Sequence, residues 1–502
     1  MRAVTLFCLF ILLLSSCAVT KRHSAAQKFS KEALQQDFHI FRTLLEQEHP
    51  GLTWYTPADS MQYFFNQGEA MLRDSMTEVE FRYVLSYITA KIKCGHTTVR
   101  SSKYFSRTND SLRNRQFPVN IKFWPDTAVV TSVLNRNKDQ KITRGAVITA
   151  IDGRPMQQII DTLFDYLATD GYNLTHKYQT LSNRGVFSNM YLSRFGYKPT
   201  FRIDFIDTTG MRQTAEIPIY KPVRDSSIRI GEFPPPPDRL TRRQRRNLYL
   251  GAARNLQIDK EMSTAFMNLN TFTTDAKLPA FFNRSFRKIR RQGVQNLVLD
   301  LRGNGGGSVT NSNLLTRFLA KEPFKIADSL YAVKRSSRYG RYQENRLFNW
   351  MFLQLMTRKK KDGNYHFRMY ERYYFKPRRK NHFDGQVYIL SGGNSFSAST
   401  LVMKALRPQA NVTIVGEESG GAAYGNNAWL IPDVTLPNTR VRFRLPLFRL
   451  VIDKDEQKGY GVLPEVFVPP TVQDIIRGAD YKLNKTIELI KARSGKDSVI
   501  QR

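Results

Sequence analysis

Two glycine- and serine-rich segments carry the residues best suited to chemistry. Asp300-Leu301-Arg302-Gly303-Asn304-Gly305-Gly306-Gly307-Ser308 follows a short apolar run, Asn296 to Leu301, and opens a helical pattern. Small residues at such a strand-to-helix turn let backbone N–H groups converge on a phosphate or an oxyanion. The phosphate signature is missing: there is neither a Gly-Lys-Ser/Thr ending nor a GxGxxG with a later acidic residue. A tight structural turn is the plainer alternative. The second segment, Ser391-Gly392-Gly393-Asn394-Ser395-Phe396-Ser397-Ala398-Ser399, again follows an apolar strand and leads into a helix. A serine there exposes its Oγ where the positive helix end favours developing negative charge. N-capping is the commoner duty of such a serine, and only a converging base overturns it.

Together these segments resemble the peptidase family of the C-terminal processing and tricorn-core proteases, over about Val294 to Val468. The resemblance implies an α/β fold with a ClpP/crotonase-like catalytic core, Ser397 as nucleophile, and oxyanion donors at Gly306, Gly307 and Ala398. Processing proteases of the family use a lysine in a Gly-Glu-x-x-x-Gly-Lys pattern, but this chain reads Gly416-Glu417-Glu418-Ser419-Gly420-Gly421-Ala422. Lys404 does not replace it, because seven residues of helix rise roughly 10 Å. The tricorn-like branch takes its base from an upstream Gly-His-Thr, and Cys94-Gly95-His96-Thr97 fits that pattern. His96 is then the base, with an imidazole able to take the Ser397 proton near neutral pH. The branch also places a glutamate just before a Gly-Val-x-Pro segment. Here Lys458 stands at that place and Glu456 two residues earlier, so Glu456 is the possible supporting acid. No metal or other cofactor is expected, since no His/Cys/Asp/Glu group shows ligand spacing.

The elements that position these residues follow from pattern. Apolar Leu34, Phe38, Phe41 and Leu45 predict a helix over Glu32 to Glu48, and the capping box of Thr77 and Glu80 opens a second, with Gly95 as its C-terminal cap. From Phe117 short strands take over, and Thr143 to Pro155 resembles the core of a PDZ-like domain, with an unplaced stretch from Leu163 to Phe195. Pro234 to Pro237 and the arginines Arg239 to Arg246 read as a stiff, solvated linker. Strand-like runs at Asn296, Gln386 and Asn411, the first two followed by a glycine-rich turn and a helix, predict a mostly parallel sheet. The expected organisation is 1–16 signal peptide, 17–28 tether, 29–105 helical segment with His96, 115–222 PDZ-like β-rich domain, 223–250 linker, and 251–490 peptidase core with a basic aromatic insertion at 334–380.

Composition limits the function classes. With 41% hydrophobic and 12% aromatic residues in 502, a wholly disordered chain and a single small module are excluded. Lys and Arg number 77 against 43 Asp and Glu, a net charge of +34 that favours anionic neighbours. The start, Met1 to Cys17, has an apolar run too short to span a bilayer and ends in Leu14-Ser15-Ser16-Cys17, which resembles a bacterial lipobox. The expectation is export, cleavage before Cys17, and anchoring to the cell envelope through lipid on Cys17. The insertion 334–380 holds 15 Lys and Arg, three acids and eleven aromatics, a pattern that could bind single strands. An exported protein seldom meets nucleic acid, so an active-site cover or an electrostatic surface is expected instead. The function expected is a serine endopeptidase acting on peptide or protein. The alternative is a weakly active or inactive binding protein on the same fold, as the family's retinoid-binding members show.

Overall fold

The computed structural model describes residues 26–107, 115–135, 141–221 and 240–500, with side chains to 493. The leader, Cys17 and the proline run of the linker lie outside the described residues.

The N-terminal segment is helical. Ser30 Oγ accepts the Ala33 N–H to open α1 (Lys31–Glu48), which buries Leu34, Phe38, Phe41 and Leu45. After α2 (Ala58–Ala70), the capping box of Thr77 and Glu80 starts α3 (Glu78–Ile92). That helix ends at Lys93, in the left-handed conformation with φ 57°, and not at Gly95. Gly95 gives its N–H to Asp170 Oδ1 instead, at 2.8 Å.

Next comes an antiparallel sheet in the order β1 (Val119–Trp124), β2 (Thr127–Val133), β3 (Val147–Ile151), β4 (Thr200–Ile206) and β5 (Arg212–Pro218). It occupies the place where the sequence resembles a PDZ-like domain. Between β3 and β4 lie α4 (Met156–Phe164), α5 (Leu174–Ser182) and α6 (Val186–Phe195). The last two are the stretch that the sequence left unplaced. Ser182 and Ser188 accept the N–H groups of Phe123 and Phe117, and Phe187 and Tyr191 close on Phe117, so both helices cover this sheet with a core of its own.

The arginines read as linker partly fold. Thr241 and Gln244 make a capping box for α7 (Arg242–Ala253), which leads directly into β6 (Arg254–Asp259). The core then runs β7 (Thr264–Leu269), α8 (Leu278–Arg291), β8 (Asn296–Asp300), α9 (Val309–Leu319), β9 (Ser329–Ala332), α10 (Arg346–Met356), β10 (Gln386–Ser391), α11 (Ala398–Leu406), β11 (Val412–Gly416), β12 (Arg449–Val451), β13 (Val466–Phe467) and α12 (Tyr481–Ile500). Six strands make the main sheet in the order β6-β7-β8-β10-β11-β13, parallel beyond the β6–β7 pair. Strand β10 is buried along its whole length, as a parallel strand covered on both faces must be. Strands β9 and β12 pair in a smaller side sheet that also takes Tyr365–His366 from the insertion.

The helical segment docks on this core. Val99 and Arg100 pair with Phe443 and Arg442, the Phe41 ring meets Phe443 edge-on at 4.9 Å, and the buried Asp37 carboxylate accepts the N–H groups of Asn438 and Thr439. Apolar side chains of both parts form one continuous core.

Candidate active site

Adjacent parallel strands bring the two glycine-rich turns together. Asp300 pairs with Leu390, so the segments that leave β8 and β10 emerge side by side at the carboxyl edge of the sheet, where α/β proteins place their sites. The turns are then cross-bonded: Phe396 N–H donates to Asn304 O (3.0 Å), Ser395 Oγ to Leu301 O (2.8 Å) and Ser399 Oγ to Asn304 O (2.8 Å). Ser395 and Ser399 are fully buried and spend their hydroxyls on structure.

Ser397 differs. It precedes the first turn of α11 with φ 57° and ψ −117°, a strained conformation for a residue with a Cβ, and its side chain caps no helical N–H. Its Oγ lies 3.1 Å from His96 Nε2. His96 is buried and packs tilted against Phe396 at 4.8 Å, and His176 stacks on that ring at 4.9 Å while bonding Gly393 O through Nδ1. A cleft of about 800 Å³ opens here, lined by His96, His176, Gly306, Phe396, Ser397 and Trp429 among others.

Of the oxyanion candidates, Gly306 sits against the serine, since a Cβ added to it would meet Ser397 Cβ at 2.7 Å and Ala398 N at 3.0 Å. Its N–H, however, is given to Asn304 Oδ1 at 2.9 Å. Phe272 bonds Gly306 O and Ser308 N on either side of Gly307, which turns the N–H of Gly307 away from that strand. This corrects the sequence reading of Gly306 as a donor: its role is to leave room, and the N–H groups with no partner among the described residues are those of Gly307 and Ala398.

The supporting acid also changes. Glu456 is bound by Lys404 at 2.7 Å, with Arg407 at 3.7 Å, and Lys404 also holds Asp453 at 2.7 Å. The carboxylate beside His96 is Asp170, 2% exposed, with Oδ1 3.8 Å from His96 Nδ1. Asp170 Oδ2 and His96 Nδ1 are buried without a hydrogen-bond partner. Burial by itself lowers the proton affinity of His96, but Asp170 and Cys94 outweigh it and raise its pKa above the usual histidine value. Asp170 arrives from the stretch between α4 and α5. Gly171 donates to Lys93 O, Tyr172 N–H donates to Gly459 O, and a Cβ on Gly171 would strike Gly459 Cα at 2.2 Å. The acid is thus delivered beside the Gly459-to-Pro464 segment, but from another part of the chain. No short motif marks it; an Asp-Gly pair in an unplaced stretch was the one signal available.

Ligand spacing along the chain missed one donor set. Cys94 Sγ, an imidazole nitrogen of His96 and an Asp170 oxygen lie within 4.8 Å of one another, and among the described residues this is the group that could hold a metal ion. The insertion 334–380 contributes no side chain to the cleft lining. It reaches the cleft through Trp429, on which Tyr370 packs at 4.4 Å and Phe367 at 6.2 Å.

Fold and core define a serine-type peptidase. More narrowly, residues 263–467 match the model of peptidase family S41, so the core is similar to that family. Among solved structures it is similar to a CPAF point mutant (13% identity, TM-score 0.63, covering 92% of this chain and 98% of that one). Mature CPAF complexed with lactacystin gives 14% identity and a TM-score of 0.61, over 92% and 98% of the two chains. At such identity the likeness shows a shared fold. No curated protein matches the chain in sequence.

Proposed function

We propose that the chain is an exported, lipid-anchored serine endopeptidase in which Ser397 is the nucleophile, His96 the base and Asp170 the residue that positions His96. Ser397 Oγ attacks the peptide carbonyl carbon as its proton passes to His96 Nε2, and the N–H groups of Gly307 and Ala398 hold the developing oxyanion. Collapse of the tetrahedral species breaks the C–N bond, and Nε2–H protonates the leaving amine. Water then attacks the acyl-enzyme with His96 again as base, and Ser397 regains its proton. The observation that carries this reading is the 3.1 Å contact between His96 Nε2 and Ser397 Oγ, made across 301 residues of sequence. The 3.8 Å gap between Nδ1 and Asp170 favours the second reading, a binding protein with weak chemistry, because a loosely held base is a weaker one.

A fluorophosphonate separates the two. It is expected to label the wild-type chain and to fail on a folded Ser397→Ala variant. Labelling that survives in that variant overturns the nucleophile, and a folded wild-type chain that never labels supports the binding protein. For the anchor, Cys17→Ser is expected to release the protein from the membrane fraction or leave it unprocessed. A lipid-free mature wild type by mass spectrometry rejects the anchor.

A further inference from the structure

Helix α10 is built inside out. It turns Asn349 and Leu353 inward, while Leu347 (65% exposed), Phe348 (61%), Trp350 (50%) and Leu355 (66%) face solvent with Met351 and Met356 beside them. Singly exposed apolar side chains are ordinary, but six on an eleven-residue helix form a patch of the kind that marks an interaction site. Beside it opens a cavity of about 500 Å³, lined by Lys334, Arg335, Arg338, Arg341 and Arg346, with Glu48 as its acid. Glu48 is engaged by Gln343 at 2.8 Å, and Arg338, Arg341 and Arg346 have no acidic partner among the described residues. Leu347 and Trp350 belong to both the cavity wall and the apolar patch. Past the helix, Arg358, Lys359 and Lys361 are exposed as well.

We propose that α10 and this basic cavity form a binding site for anionic phospholipid at a membrane surface, the apolar side chains entering the interface and the cavity receiving a phosphate headgroup. The charge selects this occupant. In a two-fold contact with a second copy the same cationic rims would face each other, a like-charge arrangement that costs affinity. An anionic bilayer offers an apolar layer and a negative surface a few ångströms apart, the order in which patch and cavity present their complements. Among the described residues no helix is long and apolar enough to cross a membrane, so α10 would lie along the surface. The proposal depends on neither the catalytic pair nor Cys17.

The test uses a chain that begins at Ala18, which lacks the leader and Cys17 and keeps every described residue. It is sedimented with vesicles of phosphatidylcholine alone or mixed with phosphatidylglycerol. Partition is expected to be at least about tenfold higher on the anionic vesicles and to fall as salt screens the charge. Replacing the exposed Leu347, Trp350 and Leu355 together by Ser is expected to cost at least about tenfold in partition. Replacing Arg338, Arg341 and Arg346 together by Ser is expected to abolish the preference for the anionic vesicles, with circular dichroism and peptide hydrolysis unchanged. Equal partition onto both vesicles overturns the proposal, and so does binding of soluble glycerol phosphate without vesicle binding. A dimer by light scattering, broken by the leucine and tryptophan replacements in a chain that ignores vesicles, would make the patch a contact between copies and overturn it too.

Discussion

At the scale of single residues, the site turns on what surrounds one imidazole. A buried histidine ordinarily loses proton affinity, yet Asp170 and Cys94 reverse that for His96. The base must be neutral to take the Ser397 proton, so kcat/KM is expected to rise with pH through an apparent pKa above the ordinary 6.5. In Asp170→Asn the carboxylate charge is gone and burial counts for more, so the rising limb is expected to move to lower pH, with kcat down by at least about a hundredfold. A profile that stays in place would show that Asp170 does not tune the ring. Glu456→Gln is expected to leave the profile unmoved, because its partners are Lys404 and Arg407. Gly306→Ala puts a methyl group 2.7 Å from Ser397 Cβ and 2.9 Å from Phe396 O, at a backbone φ of 97° that disfavours any side chain. Fluorophosphonate labelling of that variant is expected to be lost while the chain still folds. Retained labelling would mean that the two turns can separate without harm.

At the scale of elements, what was legible in the sequence was local. Capping boxes, helical stripes and the two strand-turn-helix units are written within a dozen residues each, so α1, α3, β8 and β10 are found where pattern places them. The contact between His96 and Ser397 was legible because both lie in short motifs. Asp170 was not, since its position depends on Gly171 fitting against Gly459, a backbone contact across 288 residues that no local pattern encodes. The same limit explains the arginines before Ala253: charge and nearby prolines suggest a linker, but Thr241 and Gln244 cap a helix that feeds an edge strand. The insertion was legible as a basic surface but not in its placement. Of the two expectations, a cover over the cleft is not what its residues build: they form a side sheet and α10 behind Trp429. Substitutions at Lys359, Lys360 and Lys361 are therefore expected to leave kcat/KM for acidic and neutral peptides nearly equal to wild type. A selective loss for acidic peptides at low salt would show that these lysines steer acidic substrates to the cleft.

At the scale of the whole molecule, the proposed catalytic pair is split between two parts of the chain that share one core. His96 belongs to the helical segment, and what holds that segment on the core is the ladder of Val99 and Arg100 on Phe443 and Arg442 together with Phe41 and Asp37. Phe41 is fully buried, and Phe41→Ala is expected to cost about 3–5 kcal/mol. In mild denaturant this variant is expected to lose fluorophosphonate labelling before the core sheet melts; simultaneous loss of both would show that segment and core unfold as one unit. A chain made from its N-terminus produces the base 301 positions ahead of the nucleophile. Through all of that interval the growing polypeptide contains no assembled hydrolytic centre. On the proposed mechanism, then, no nascent chain can hydrolyse a peptide bond until the strand-and-turn unit that carries Ser397 has been made and has closed on His96.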